Sequence, residues 1–196
     1  MLKIACIPAY NEQNSISDII KRVEPFVDKV VVCDDGSTDK TEKNARDVGA
    51  HVIKHQKNLG KGNALKSLFE YAKNIGADIM VTIDGDGQFL PEEIPKIIEP
   101  VVKGNADVVI GYRFDDAIDM PSYRKIGNKF LDKMTSIATE LPFRDTQGGF
   151  RAYSKKAIDI IQFSTNGFGV DSEILINASK KGLKIVEAIQ VAKIID

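Results

Sequence analysis

The chain has 196 residues, 43% of them hydrophobic, enough for one compact domain with a sizeable core. Lys and Arg total 27 against 28 Asp and Glu, so a net charge of −1 gives no field suited to a polyanion, and nucleic acid is not an expected partner. Cys6 and Cys33 lie inside apolar runs where a free cysteine behaves as a small hydrophobe, so a reducing, cytoplasmic setting is expected. The opening "MLKIACIPAY" lacks a long apolar stretch and a small-residue cleavage site, and no later run reaches membrane-span length, so a chain neither targeted nor membrane-spanning is expected.

Apolar runs of strand length alternate with segments of helical period. "KIACIPAY" predicts a strand, "SISDIIKRVEPFV" a helix, "KVVVCDD" a strand, "DKTEKNARDVG" a helix and "HVIKH" a strand. A helix over Lys61–Asn74, the strand "DIMVTID", a helix over Pro91–Lys103 and the strand "DVVIGYR" continue the order. This βαβα order implies a mostly parallel sheet. Ser15 with Asp18 suits a cap for the first helix, Gly49 and Gly76 suit stops for the second and third, and Pro91 suits a first helical turn. After Phe114 the pattern changes to a loop, a longer helix and mixed elements, dividing one domain into functional halves of about 1–114 and 115–196.

In an open parallel sheet, ligands bind where loops leave the carboxyl ends of the strands. Four polar clusters fall there: "PAYNE", "DDGSTD", "DGDGQ" and "GYR". Asp and Gly are also ordinary turn residues, an explanation that weakens as the clusters multiply. In "DGDGQ", two hard carboxylates beside a side-chain amide suit a divalent cation that keeps positions open for phosphate oxygens. An EF-hand loop would need Gly at Phe89 and Glu at Pro95. No G-x-x-x-x-G-K-[ST] occurs, and "GKGNAL" has Leu65 where the dinucleotide fingerprint needs its last Gly.

"IPAYNE", "VVVCDDGSTDKT", "NLGKGNAL", "TIDGDGQ", "GYR" and "DTQGGFRAY", in this order, resemble the family 2 glycosyltransferases of the GT-A fold. The match is closest to the subgroup resembling dolichol-phosphate mannose synthase and polyprenyl-phosphate glucosyltransferases. The resemblance implies an α/β fold with helices on both faces of a mostly parallel sheet, a Rossmann-like nucleotide-binding half and an acceptor half. It implies that Pro8, Ala9, Tyr10 and Glu12 contact the base or ribose of a UDP- or GDP-sugar, with Tyr10 stacking on the base or else serving as a core-edge tyrosine. Asp35 is then expected to read the base, Asp34 to finish the strand, and Lys61 to approach the nucleotide; caps and solvated surface are the plain alternatives. Asp86 and Gln88 are the implied direct ligands of Mg²⁺ or Mn²⁺, with Asp84 on the metal or on the donor's ribose and sugar, and Gly85 allowing close approach. Arg113 would add a cationic contact to phosphate, or form a surface ion pair.

On the acceptor side, "SYRKIGNKFLDKMTSIATEL", with Arg124, Lys125, Lys129 and Lys133, suits a helix resting on a membrane surface or packing on the core, and peripheral association at the cytoplasmic membrane face is an expectation. The resemblance makes Asp145 and Arg151 shapers of the acceptor site, Arg151 in position to pair bidentately with an acceptor phosphate. Relatives often carry Ser or Cys where this chain has Gly148. Asp171 and Glu173 fall where family members keep acidic residues, one of which acts as general base, Asp171 alternatively being a helix N-cap. The implied acceptor is a polyprenyl or dolichyl phosphate or another small acceptor: an alcohol must lose its proton to a base, whereas a lipid phosphate is already anionic, and the family's inversion needs no enzyme nucleophile. Without Trp, the Q-x-x-R-W motif of processive synthases is absent, which favours single transfer. The sequence closes on "QVAKIID", where relatives continue with an arginine and a Gly/Ser/Lys segment, so an acceptor site incomplete or differently built from theirs is expected. A sugar nucleotidyltransferase and a non-catalytic nucleotide-sugar-binding module are the alternatives; the first normally has a Gly-rich, Arg-containing loop where this chain has "PAYNEQN".

Overall fold

In the computed structural model the described residues are 1–112, 132–137, 139, 143, 145–167 and 169–189. Elements β1 (Lys3–Ala9), α1 (Ile16–Val23), β2 (Lys29–Asp34), α2 (Thr41–Asp47), β3 (His51–Lys54), α3 (Lys61–Asn74), β4 (Ile79–Thr82), α4 (Ile94–Val102) and β5 (Val108–Tyr112) follow in that order. A helical stretch over 132–137 (α5) precedes β6 (Arg151–Ser154), α6 (Lys155–Ile160), α7 (Val170–Lys180) and β7 (Ile185–Ile189). The strands form one sheet in the order β3-β2-β1-β4-β6-β5-β7. Among the described strands only β6 runs against its neighbours, pairing antiparallel with β4 and β5, while the other pairs are parallel.

Both faces of the sheet are covered, which is why its strands read as continuous apolar runs instead of alternating ones. From β1, Ala5, Ile7 and Ala9 pack toward α1, α2 and α4, whereas Ile4 and Cys6 pack toward α3, α6 and α7. In α1, Ile16, Ile19, Ile20 and Val23 recur at helical spacing and are all buried, each stabilising the fold by about 1.5–3 kcal/mol before entropy is counted. Cys6 and Cys33 are buried and unpaired by disulfide, and burial pushes the Cys33 thiol up to about 12, so both serve as small core residues.

The predicted helix over Lys61–Asn74 is observed with those bounds, and Gly49 and Gly76 take the left-handed conformation that ends a helix. Ser15 differs from expectation: it stands at the N-cap of α1 but makes no side-chain cap, and its hydroxyl lies 2.7 Å from the Gly85 carbonyl instead. Pro91 opens a short 3₁₀ turn, Pro91–Glu93, ahead of α4. The strands β6 and β7 were not legible as strands. Because β6 is antiparallel, it begins at the edge where its parallel neighbours end, and Arg151 stands opposite Thr82. That reversal carries a residue of the second half into the crevice formed by the first.

Candidate active site

The loops at this edge are tied together by side chains. Asn11 takes a positive φ of 57°, unusual for a residue with a side chain, and its carboxamide oxygen accepts from the Thr38 N–H at 2.9 Å. The Asn11 and Glu12 N–H groups donate to Ser37 Oγ and Thr41 Oγ1 at 2.9 and 2.8 Å. The "PAYNE" turn is thereby locked onto "DDGSTD". Pro8 and Ala9 lie at the end of β1 beneath it, and Tyr10 stands out at 45% exposure, which removes the core-edge alternative for its ring.

Asp35 is buried, and both its carboxylate oxygens are engaged. Oδ1 accepts from the Leu59 N–H at 3.0 Å and Oδ2 from the Gly60 N–H at 2.8 Å, while His55 Nδ1 lies 2.6 Å from Oδ1. Asp35 thereby anchors the turn ahead of α3. Asp34, fully buried, accepts from the Ser37 N–H at 3.1 Å through Oδ1, and its Oδ2 has no hydrogen-bond partner among the described residues.

The "DGDGQ" loop hangs from Ile83 and is pinned by Phe89, which packs 5.5 Å from Phe150, both rings almost wholly buried. Gly85 is buried against the first loop, where an added Cβ would lie 3.5 Å from Glu12 Cγ. Asp86 is exposed, with its Oδ1 accepting the Gln88 N–H at 3.0 Å. Burial pushes the Glu12 carboxyl above its ordinary range, and the negative charges of Asp86, Asp39 and Asp84 push it further. That concentration of carboxylate charge fits a hard divalent cation. Among the described residues, no three His, Cys, Asp or Glu side chains are grouped to hold a metal ion by themselves. An oxygen set of this kind suits Mg²⁺ or Mn²⁺ shared with a substrate's phosphates.

Gly149 passes directly behind Asp84. An added Cβ there would meet the Asp84 carboxylate at 2.2 Å, so the second half sets where this carboxylate lies. Gly149→Ala is expected to displace Asp84 and to lower turnover by about tenfold or more. Steady-state kinetics check this, and unchanged turnover would show that Asp84 has room to move.

Lys61 enters at the start of α3 and joins the halves. Its Nζ lies 3.0 Å from Asp84 Oδ1 and 3.1 Å from Asp171 Oδ2. Asp171 Oδ1 lies 3.5 Å from an Arg151 terminal nitrogen. Burial works against the Lys61 charge, but Asp171 and Asp84 outweigh it and raise its pKa. Burial also raises the Asp171 carboxyl, with Lys61 and Arg151 pulling the other way. Asp171 sits inside the first turn of α7, and Gly169 occupies the N-cap, so the cap reading of Asp171 does not hold.

Arg151 is fully buried and donates to the carbonyls of Gly148, Asp171 and Thr146 at 3.1, 2.9 and 2.6 Å. A guanidinium committed this way holds the loop and Asp171 in place, where direct pairing with an acceptor phosphate was expected. Asp145 is buried beside it, accepting the Gln147 N–H at 3.2 Å. At Gly148 a Cβ would stand 3.2 Å from both Asp145 Oδ2 and the Gly111 carbonyl, a tight place for a larger residue. Arg113, Arg124, Lys125 and Lys129 lie outside the described residues.

Glu173 does not face the crevice chemistry. It accepts from the Ser164 N–H at 2.9 Å and the Thr165 N–H at 2.7 Å, holding the loop that covers Gly60 and Gly62. Burial pushes its carboxyl up, but the hydrogen bonds from Thr165 and Ser164 win and hold it at about 2. A depressed folded-state value stabilises above the unfolded carboxyl range, near 4.5, and that contribution is lost as pH falls toward about 2. Glu173→Gln is expected to flatten this part of the acid-unfolding profile; a profile unchanged between pH 2 and 4.5 would remove Glu173 from it.

Sequence reading passed over His55 and Gly149 and took Ser15 for a helix cap alone. His55 ends the "HVIKH" strand on the same edge as the four clusters, and that placement was the available signal. Gly149 and Ser15 acquire their roles from partners 65 and 70 positions away, which no local pattern carries.

The family model described as glycosyl transferase family 2 matches residues 4–161. A UDP-N-acetylglucosamine–dolichyl-phosphate N-acetylglucosaminyltransferase of Methanococcus voltae is 32% identical, over 92% of this chain and 81% of its own length. An undecaprenyl-phosphate mannosyltransferase of Micrococcus luteus is 30% identical, over 95% of this chain and 82% of its own. Among solved structures, glucosyl-3-phosphoglycerate synthase of Mycobacterium tuberculosis, in complex with Mn²⁺, UDP and phosphoglyceric acid, superposes with a TM-score of 0.81 at 21% identity, covering 100% of this chain and 71% of that one. That likeness establishes the GT-A fold. With the strand order, the D-x-D loop and the family match in agreement, the chain belongs to glycosyl transferase family 2.

Proposed function

We propose that this glycosyltransferase moves one sugar, with inversion, from a UDP- or GDP-sugar to a polyprenyl or dolichyl phosphate, and that it depends on Mg²⁺ or Mn²⁺. The observation that carries the reading is the convergence of Asp84, Asp86, Lys61 and Asp171 at one sheet edge, beneath an exposed Tyr10. Relatives with 30–32% identity are named for dolichyl- and undecaprenyl-phosphate acceptors.

Tyr10, Pro8, Ala9 and Glu12 frame the base and ribose, the Tyr10 ring offering a stacking face. Asp86 and Gln88 would hold the cation, with Asp84 beside it, and a bound cation would supply charge neutralisation for the leaving diphosphate. An oxygen of the acceptor phosphate attacks the anomeric carbon from the face opposite the departing diphosphate. The carbon–oxygen bond to the nucleotide breaks, and its electron pair goes to the diphosphate oxygen. No proton must be removed, because a phosphate monoester is already anionic at neutral pH. Asp171 is accordingly assigned to holding Lys61 between the halves, since both its oxygens face cations. Lys61 places a positive charge beside Asp84, where the diphosphate's negative charge grows.

The acceptor's lipid tail implies a nearby bilayer surface. On α5 Met134 and Ile137 are exposed together with Lys133, a composition suited to an interface. No helix among the described residues is long and apolar enough to cross a membrane. Peripheral attachment at the cytoplasmic face is the reading in keeping with this.

The test pairs a panel of UDP- and GDP-sugars and Mn²⁺ with a short-chain polyprenyl phosphate or the corresponding polyprenol. Expected are a glycosylated lipid phosphate and equimolar nucleoside diphosphate, with turnover at least about a hundredfold lower on the alcohol, which lacks a base to deprotonate it. Equal turnover on the alcohol would overturn the phosphate acceptor. Nucleotide binding without transfer to any acceptor would leave a binding module.

A further inference from the structure

One connected set of side chains lies outside the reacting groups. His55 follows β3, and its side chain is nearly buried between β2 and α3. Nδ1 lies 2.6 Å from Asp35 Oδ1, and Nε2 lies 2.9 Å from Ser67 Oγ on α3. Asp35 accepts two backbone N–H bonds; an N–H on Nδ1 would add a third donor to this carboxyl group, with Nε2 facing the Ser67 hydroxyl. A Ser-His-Asp order invites comparison with a hydrolytic triad. Ser67 sits within α3, however, where backbone N–H groups are consumed by the helix and none is aimed at a developing oxyanion.

The set leads toward Lys61. Asp35 grips the Leu59 and Gly60 N–H groups, the two immediately preceding Lys61. From the other side, the loop over Thr165 and Asn166 presses on the same turn: a Cβ at Gly60 would meet the Asn166 carbonyl at 2.3 Å, and one at Gly62 the Thr165 carbonyl at 2.0 Å. The Gly62 N–H donates to the Asn166 carbonyl at 3.0 Å. The turn bearing Lys61 is therefore clamped between Asp35 and this loop. The Asp35 jaw meets the His55 ring at Oδ1, as the loop jaw is held by the Glu173 carboxylate.

We infer that His55 is a positioning residue: by holding Asp35, it fixes the Leu59–Gly60 turn and hence the point from which Lys61 reaches Asp84 and Asp171. The consequence for donor binding rests on the proposed nucleotide-sugar reading, whereas the consequence for Lys61 itself does not.

Two measurements separate these. The rate of Lys61 acylation by an amine-reactive ester, followed by mass spectrometry on the whole chain, reports how firmly the ammonium is held. Affinity for UDP and for GDP with Mn²⁺ reports the donor site. His55→Leu and His55→Gln are expected to accelerate Lys61 acylation, and to weaken nucleotide binding, by about tenfold, the scale of one charge-assisted hydrogen bond. His55→Asn places its amide nitrogen near the Nδ1 position and is expected to stay within about threefold of wild type, whereas Gln reaches only the Nε2 position, so the pair decides even if His55→Leu fails to fold. Ser67→Ala, which loosens the ring but leaves the Asp35 contact, is expected to fall between them. Wild-type acylation rates in both His55→Leu and His55→Gln would overturn the inference, as would equal protection by Gln and Asn. If wild-type protein binds neither nucleotide, the donor reading fails, and the acylation rates still decide the role of His55.

Discussion

Asp86→Ala is expected to abolish the metal-dependent part of nucleotide binding while leaving the fold intact. Asp86 is exposed at the tip of the "DGDGQ" loop, and the loop's anchor is Phe89, packed against Phe150. Removing the carboxylate therefore subtracts little from the core. In the proposed site its loss would remove a hard ligand from the cation, and a cation at a leaving diphosphate contributes several kcal/mol of transition-state stabilisation. Turnover should fall by about a hundred- to ten-thousandfold, each ~1.4 kcal/mol being a factor of ten. Thermal unfolding with UDP or GDP, with Mn²⁺ or with chelator, separates binding from folding: the metal-free melting temperature should stay put while the metal-dependent increment disappears. A retained increment would remove Asp86 from the ligand set. Asp84→Ala is a useful contrast, because Asp84 also pairs with Lys61 and its loss should disturb the ligand-free protein as well.

Arg151→Met is expected to give a large loss of stability. The guanidinium is fully buried, satisfies the carbonyls of Gly148, Asp171 and Thr146, and faces the Asp171 carboxylate at 3.5 Å. Deleting one partner of a buried charge network leaves the others uncompensated, at about 3–5 kcal/mol. For a domain of this size, each kcal/mol lowers the melting temperature by about 2–4 °C, so a fall of about 6–20 °C is expected. Arg151→Lys should recover little of it, since one ammonium cannot reach three carbonyls arranged around a planar fork. A melting temperature within about 2 °C of wild type would contradict this role, and normal stability with lost transfer to a phosphate acceptor would return Arg151 to direct acceptor contact.

Asp35 and Arg151 show where sequence reading stopped short. Both belong to segments that the motif order identified, and both were expected to touch substrate. In the folded chain Asp35 faces the Leu59–Gly60 turn and Arg151 faces three carbonyls of its own neighbourhood. A motif states that a residue type is needed at a place. It does not state whether the partner is a ligand or the backbone, because either offers the same hydrogen-bonding groups.

By itself the sequence determined the alternation of strands and helices, the two-sided burial of the sheet, and the edge at which function gathers. These follow from local period and from turn residues, both short-range properties of the chain: Lys61–Asn74 was legible as a helix. Tertiary structure alone decided that β6 enters antiparallel between β4 and β5, bringing Arg151 opposite Thr82 and Gly149 behind Asp84. It likewise decided that Lys61 bridges Asp84 and Asp171, residues 23 and 110 positions further on. Contacts at such separations are chosen by which packing buries the most apolar surface with every buried charge paired, a condition on the whole chain that no window of sequence contains.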